Sequence, residues 1–312
     1  MHQVKRLLAS YLPFWIVLIA WSAFQFPNVY GLIQGFAGVG LGLIFLLMGM
    51  QLAVTELRKT IKRPRAVFIG VALKWVIMVS VSVGLATLFF RNQPELAMGI
   101  IVSGTVPSGT SANLYAFIAG GDVALSITMA TLDTVISPVL TPLLTDWFAG
   151  KLIPLDLVAL FQSILLIVFI PLFSGIFLQW KWSSQVDRVK PYTPVISQVT
   201  LLLIVASVVS SAQPSLVEHV ALLPKIAGVV FLQVSIPMLL GYGLAKVLGV
   251  GEAGARSILF QVGICNTALA ATLAMAHIGA LAAIPAVMNM IINLSLGAFV
   301  SNYFSSRPSH PN

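Results

Sequence analysis

Cysteine, charge and polar loops are all scarce in this chain of 312 residues. The one cysteine, Cys265, excludes an intramolecular disulfide and a multi-cysteine metal site. Charged residues make up 8% of the chain, against about a quarter in soluble domains, and only nine are acidic. Of the four histidines, His277 has no carboxylate or cysteine nearby to suggest a metal site, and His2, His219 and His310 fall at termini or in a loop. No stretch is long and polar enough for a soluble domain. Apolar residues account for 58% of the chain, and the mean hydropathy is +0.99. The apolar runs have helix length and lack the alternation of membrane strands, so the expected class is an all-α membrane protein.

Ten transmembrane helices are expected at about 10–27, 31–54, 66–90, 95–118, 122–147, 156–180, 193–212, 221–248, 253–277 and 281–304. Turn signals separate them at Phe26-Pro27-Asn28, Gln93-Pro94, Gly120-Gly121-Asp122 and Gln213-Pro214-Ser215. Ala20-Trp21-Ser22 is a poor cleavage site, so the first apolar stretch is expected to be retained as a helix.

The net charge of +8 follows this topology. With the N-terminus inside, one side carries Lys5, Arg6, Arg58, Lys59, Lys62, Arg63, Arg65, Lys181, Arg188, Lys190, Lys246, Arg256 and Arg307. The other carries Arg91, Lys151 and Lys225. The asymmetry places both termini in the cytoplasm and accounts for the basic excess without nucleic acid. The expected location is the cytoplasmic (inner) membrane of a bacterium, and nothing in the chain calls for an obligate protein partner.

A faint internal repeat relates the two halves. Leu73-Lys74, Ile77 and Gly84-Leu85-Ala86 recur as Leu232-Gln233, Ile236 and Gly243-Leu244-Ala245 at one offset. Five spans separate the copies, so the second is inverted: two inverted five-helix repeats. Spans four and nine, at matching places in the halves, are interrupted by Gly104-Thr105-Val106-Pro107-Ser108-Gly109-Thr110-Ser111-Ala112-Asn113 and by Gln261-Val262-Gly263-Ile264-Cys265-Asn266-Thr267. Backbone groups freed by such breaks must find partners inside the protein. A matched pair of broken spans is the sequence pointer to a transport site. Chance agreement among abundant Leu, Gly and Ala, and simple packing kinks, are the plainer alternatives.

These motifs, with Met48-Gly49-Met50, Arg63-Pro64-Arg65-Ala66-Val67, Gly121-Asp122-Val123-Ala124-Leu125-Ser126, Ser137-Pro138 and Arg256-Ser257-Ile258, make the chain resemble the bile acid:sodium symporter family, bacterial members in particular. The resemblance covers nearly the whole chain. It implies a single transporter unit over 1–312: panel helices at about 10–54 and 156–212, and core helices at about 66–147 and 221–304. The broken helices would cross in the core, and alternating access would carry a small organic anion, a pantoate-like acid or bile-acid-like carboxylate. Thr110, Asn266 and Asn293 match positions that contact such substrates, and Asn289 lies one turn before Asn293. The plainer role for buried asparagines is to join helices.

The family's two sodium sites do not carry over. Its first uses a serine and an asparagine at the fourth-span break, hydroxyls on the fifth span and a glutamate on the ninth; here those positions read Ala112, Asn113, Ser126, Ala130 and Gln261. The second would fall on Gln261, Cys265 and Lys74, a neutral amide, a soft thiol and a cation. Sodium independence is the expectation, with no cofactor and with proton coupling possible; a sodium-coupled symporter with a rebuilt ion site is the alternative.

Lys74 and Asp133 are the two charges deepest in apolar sequence. A lysine at a helix centre costs about 2.5–3.5 kcal/mol on insertion scales. Its ammonium is expected to replace the second ion, donating to Gln261 and to carbonyls at the ninth-span break. The plainer reading is a lysine snorkelling from a depth of roughly 12 Å at 1.5 Å per residue. Asp133, two turns beyond Ser126, is expected to compensate Lys74 or else to bond Thr131, Thr134 or broken-helix backbone. Two further classes make their own demands: a membrane enzyme would need clustered acidic metal ligands or a nucleophile with its base, which are missing around Ser108, and a channel would show unitary currents instead of saturable exchange.

Overall fold

The computed structural model describes residues 12–51, 64–150, 152, 154 and 156–307. Lys5, Arg6, Arg58, Lys59, Lys62, Arg63 and Lys151, which contribute to the charge asymmetry, lie outside the described residues. The described residues are all-α, and the one β-type pairing among them is an isolated antiparallel bridge between Ser108 and Cys265.

The helices, in chain order, are α1 (Leu12–Gln25), α2 (Phe36–Gln51), α3 (Pro64–Phe89), α4 (Pro94–Thr105), α5 (Ser111–Ile118), α6 (Val123–Ala149) and α7 (Leu157–Ile164). They continue as α8 (Ile170–Lys181), α9 (Ser183–Val189), α10 (Thr193–Glu218), α11 (Leu223–Val247), α12 (Glu252–Gly263), α13 (Thr267–His277) and α14 (Ala280–Ser305). A π-helical turn, Leu165–Phe169, joins α7 to α8 without a break. Among the described residues, six continuous stretches are long and apolar enough to cross a bilayer, and a seventh if the bent pair Leu12–Gln25 and Pro27–Ile33 is one span. The large apolar side chains left on the outside, such as Phe68, Leu88, Leu239 and Phe299, are those of a lipid-facing surface. The protein is an integral membrane protein.

Local chemistry sets the helix ends. Asp122 caps α6 by accepting from the Leu125 amide at 3.0 Å, Asp156 caps α7 through Ala159, and Asn266 caps α13 through Leu269. Gly120 closes α5 at a φ of 66°, where its missing Cβ removes the left-handed penalty. Pro138 and Pro142 lie inside α6. The Thr134 carbonyl freed by Pro138 is recovered by Ser137 Oγ at 3.0 Å.

Two boundaries differ from the sequence expectation. The first span bends by 106° into a 3-10 turn over Pro27–Ile33, so the second helix starts at Phe36 and not at 31. Gln213-Pro214-Ser215, read as a turn, lies inside α10, which runs on to Glu218. Continuing the helix carries Leu216 onto the apolar core, and proline removes a single backbone bond near the helix end.

Packing brings the polar segments together. α3 lies against α4, α11 and α12, and α14 against α4, α11 and α13, while α2 packs on α8 and α10. The two interrupted helix pairs, α4/α5 and α12/α13, are thereby enclosed.

Candidate substrate and ion site

The site is built on two chain breaks that satisfy one another. Between α4 and α5, Pro107 has no N–H to offer, and the helix ends at Thr105 with Val106 extended. Gly109 N donates to Ile264 O at 2.9 Å and Asn266 N donates to Pro107 O at 2.8 Å, so Ser108 and Cys265 pair like residues of two short antiparallel strands. Backbone groups that would be unsatisfied in an apolar interior are used up in this exchange. The approach requires glycine: a Cβ on Gly109 would sit 2.8 Å from the Cys265 carbonyl oxygen.

Lys74, on α3, is fully buried and donates to the Val106 carbonyl at 2.7 Å. Val106 caps the C-terminus of α4, so a cation meets the negative end of a half-helix. The expected bonds to Gln261 and to the ninth-span break are not formed; Lys74 serves the other break because the C-terminal carbonyls of α4 face α3. Snorkelling is excluded by its complete burial.

Asp133 is also fully buried. It accepts from Trp75 Nε1 at 3.0 Å and from Ser108 Oγ, whose oxygen also lies 3.0 Å from Gln261 O. The anticipated bonds to Thr131 and Thr134 are absent, since these hydroxyls turn back onto their own helix at Ile127 O and Ala130 O. Lys74 and Asp133 interact electrostatically without forming a direct ion pair within 4.0 Å. The carboxylate reaches break one through Ser108 while the ammonium reaches it through Val106.

Gln261, on α12, turns its amide nitrogen toward Asn113 Oδ1 at 2.7 Å, Ser126 Oγ at 2.7 Å and Ser126 O at 3.0 Å. Ser126 Oγ itself donates to Asn113 Oδ1 at 2.8 Å. The oxygens of Asn113 and Ser126 are therefore already occupied by protein hydrogens. Gln261 Oε1 is buried without a partner.

The predicted substrate residues separate into two groups. Thr110 is exposed, at the start of α5, and its side chain makes no capping bond. Asn266 is half-buried, its carbonyl committed to the α13 cap and its amide hydrogens the donors it can present. Asn293 is buried, donating to Cys265 O at 3.3 Å with Oδ1 unpartnered. Asn289 is held at both ends: it donates to Gln233 Oε1 at 3.2 Å and accepts from Cys265 Sγ at 3.8 Å. Gln233 in turn donates to Ser82 Oγ at 2.8 Å and Ile100 O at 2.7 Å.

Ser108, Trp75 and Ser82 escaped the sequence reading as members of this network, because serine and tryptophan are ordinary in membrane helices. Arg256 was counted among the basic residues of one membrane side, yet it is buried, and binds Glu252 at 2.9 Å, Ala119 O at 2.7 Å and Arg307 O at 2.9 Å. The nearby Glu252 was the available signal.

A family model described as the Sodium Bile acid symporter family matches residues 38–219. The chain belongs to this family. It is 34% identical over 295 residues to YocS of Bacillus subtilis, described as an uncharacterized sodium-dependent transporter, covering 94% of this chain and 90% of YocS. The probable chloroplastic sodium/metabolite cotransporter BASS1 of Arabidopsis thaliana is 29% identical over 306 residues, 96% of this chain and 74% of BASS1. A Homo sapiens sodium-dependent organic anion transporter is 27% identical over 191 residues, 59% of this chain and 50% of its own. This sodium bile acid symporter family member is a membrane transporter; the resemblance drawn from its motifs holds.

Proposed function

We propose that the protein carries a small organic anion, a pantoate-like acid or another small carboxylate, across the cytoplasmic membrane of a bacterium by alternating access and without sodium. The observation that carries the reading is the pair of internal donors at the two degenerate ion positions. Gln261 supplies amide hydrogens to Asn113 and Ser126, and Lys74 supplies an ammonium to the Val106 carbonyl. A sodium ion needs hard oxygen ligands with lone pairs to spare, and here those oxygens accept from the protein itself. Cys265 and Ala112, at two more ligand positions, add no hard oxygen.

The substrate side of the reading rests on Thr110, Asn266 and Asn293, which gather beside the paired breaks. The N-terminal ends of α5 and α13 favour negative charge there. A panel of α1, α2, α7, α8 and α10 moving against a core of α3–α6 and α11–α14 is supported by the antiparallel pairing of the breaks and by the repeat of Lys74 in Gln233.

The second reading, a sodium-coupled symporter with a rebuilt ion site, is favoured by the sodium-dependent description of YocS and by the unpartnered Gln261 Oε1. Uptake of labelled pantoate into proteoliposomes, in sodium and in choline media, separates the two. Equal uptake supports the first, and full sodium dependence overturns it. A thermal-shift screen of pantoate, ketopantoate, other small carboxylates and bile salts tests the substrate class.

A further inference from the structure

From Asp133 to its C-terminal end one face of α6 stays polar, whereas toward the N-terminus the polar residue on that face, Ser126, is bonded to Asn113 and Gln261. Asp133, Ser137, Thr141 and Thr145 recur at every fourth residue, which places them along one face of a helix. They are 0%, 0%, 0% and 1% exposed, so the hydroxyls face the protein interior and not lipid. At about 1.5 Å per residue the stripe climbs roughly 18 Å from Asp133 toward the end of α6. In the opposite direction the same spacing gives Met129 and Leu125, both buried and apolar.

The stripe is also under-bonded. Thr141 Oγ1 is buried with no partner, an unrepaid desolvation cost if nothing uses it. Pro142 leaves the Pro138 carbonyl without its helical donor. Thr145 Oγ1 meets Thr105 Oγ1 of α4 at 2.7 Å, with either able to donate, and Ser137 Oγ keeps lone pairs after donating to Thr134 O. Hydroxyls that both donate and accept are the groups along which a proton is passed. Helix gluing accounts for Thr145, but not for an unpaired Thr141 midway.

We propose that Asp133 is a proton-binding site of the transport cycle and that Ser137, Thr141 and Thr145 form its access route from the face on which α6 ends. The charge asymmetry of the sequence makes that face external. The charged group facing Asp133 is Lys74 on α3; the same helix adds the neutral Trp75, break one adds Ser108, and Gln261 and the Cys265 thiol lie on the α12 side. α5 and α7 contain no charged residue, and those of α4 and α12 (Glu95; Glu252 and Arg256) lie in their first two turns.

The charge balance supplies the coupling. A proton from outside converts the Asp133 carboxylate to a neutral acid, so the hydrogen bond from Ser108 loses its charge assistance. Lys74 is then the uncompensated charge beside the break, and a substrate carboxylate near Thr110 and Asn266 restores neutrality. One proton and one monoanion would cross together with no net charge. This rests on the sodium-independent anion reading above.

The test begins without substrate. Infrared difference spectra of the purified full chain between about pH 5 and about pH 8 should show a protonated-carboxyl band that Asp133→Asn abolishes. Thr141→Val combined with Thr145→Val should keep the band but slow its appearance after a pH jump at least several-fold. No pH-responsive carboxyl band, or an unchanged one in Asp133→Asn, overturns the proposal. If Asp133→Asn does not fold, an unslowed Thr141→Val/Thr145→Val response overturns the route, and wild type lacking the band overturns the site. Labelled pantoate in choline-loaded proteoliposomes, with the membrane potential clamped, then separates the two readings. Acid outside should drive accumulation in wild type, and Asp133→Asn should lose that acid-driven accumulation; accumulation that survives in Asp133→Asn overturns the coupling. A positive infrared result with no pantoate uptake leaves the proton site standing and removes the substrate reading alone.

Discussion

Lys74 and Gln233 are separated by the same offset as the other recurring residues of α3 and α11, and the contrast between them explains how the polar core is balanced. Each sits on a long helix, α3 or α11, and each donates to a carbonyl of α4 or its cap: Lys74 to Val106 at 2.7 Å, Gln233 to Ile100 at 2.7 Å. Each half also contributes one residue to the bridge between the breaks, and each bridge residue meets a polar side chain from a neighbouring helix. Ser108 donates to Asp133, whereas Cys265 approaches Asn289 at 3.8 Å. The cluster around Lys74 is therefore ionic and the one around Gln233 amide-based. An amide set satisfies itself with neutral groups and has no state to change. An ammonium and a carboxylate anchored on the same break, one through Val106 and the other through Ser108, can be biased by one proton or by one anionic ligand.

The largest effect should come from abolishing the contrast at Lys74. Lys74→Gln leaves Asp133 as a buried charge without its cation, a loss of about 3–5 kcal/mol in thermal or denaturant unfolding in detergent. Adding Asp133→Asn should recover much of that loss, and a double-mutant cycle with no coupling would show that the two charges are independent. Lys74→Gln together with Gln261→Glu should make uptake sodium-sensitive if the two side chains replace ions; an unchanged response in sodium and choline would assign them a purely structural role.

Gly109→Ala should cost about 1–3 kcal/mol, by forcing the two breaks apart at the Cys265 carbonyl, and should weaken substrate-induced thermal shifts at the same time. In the neutral cluster, Gln233→Leu should cost about 1–3 kcal/mol by stranding Ser82 and Asn289, with no change in pH response. A pH response altered by Gln233→Leu would erase the distinction between the clusters. The smallest effect is expected for Cys265→Ala, about 1 kcal/mol, because it deletes one small buried group whose polar contact, to Asn289 at 3.8 Å, is long and weak.

Much of this was legible from residue order. The intramembrane charges announced themselves because their cost in apolar sequence demands a partner, and the broken spans did so because polar and glycine residues cluster in mid-span, with Pro107 in the first of them. The partners were less legible. Lys74 was assigned to the second break and serves the first, since which carbonyls face α3 depends on how α4 packs against it. Asp133 was offered Thr131 and Thr134 by proximity along the helix, but those hydroxyls prefer their own backbone, and the carboxylate turns to Trp75 and Ser108 on other segments. Gln213-Pro214-Ser215 looked like a turn locally and was overridden by burial of Leu216.

Composition and periodicity alone determined that this is a helical membrane protein with two interrupted segments and two expensive charges, because hydrophobic length and proline chemistry act locally. Only the tertiary structure decided that the breaks satisfy each other's backbone, that Gln261 occupies the oxygens of Asn113 and Ser126, and that α6 carries an under-bonded hydroxyl stripe from Asp133 to its end. Those are pairings between helices, and a donor's choice among distant acceptors is settled by packing geometry that no local pattern encodes.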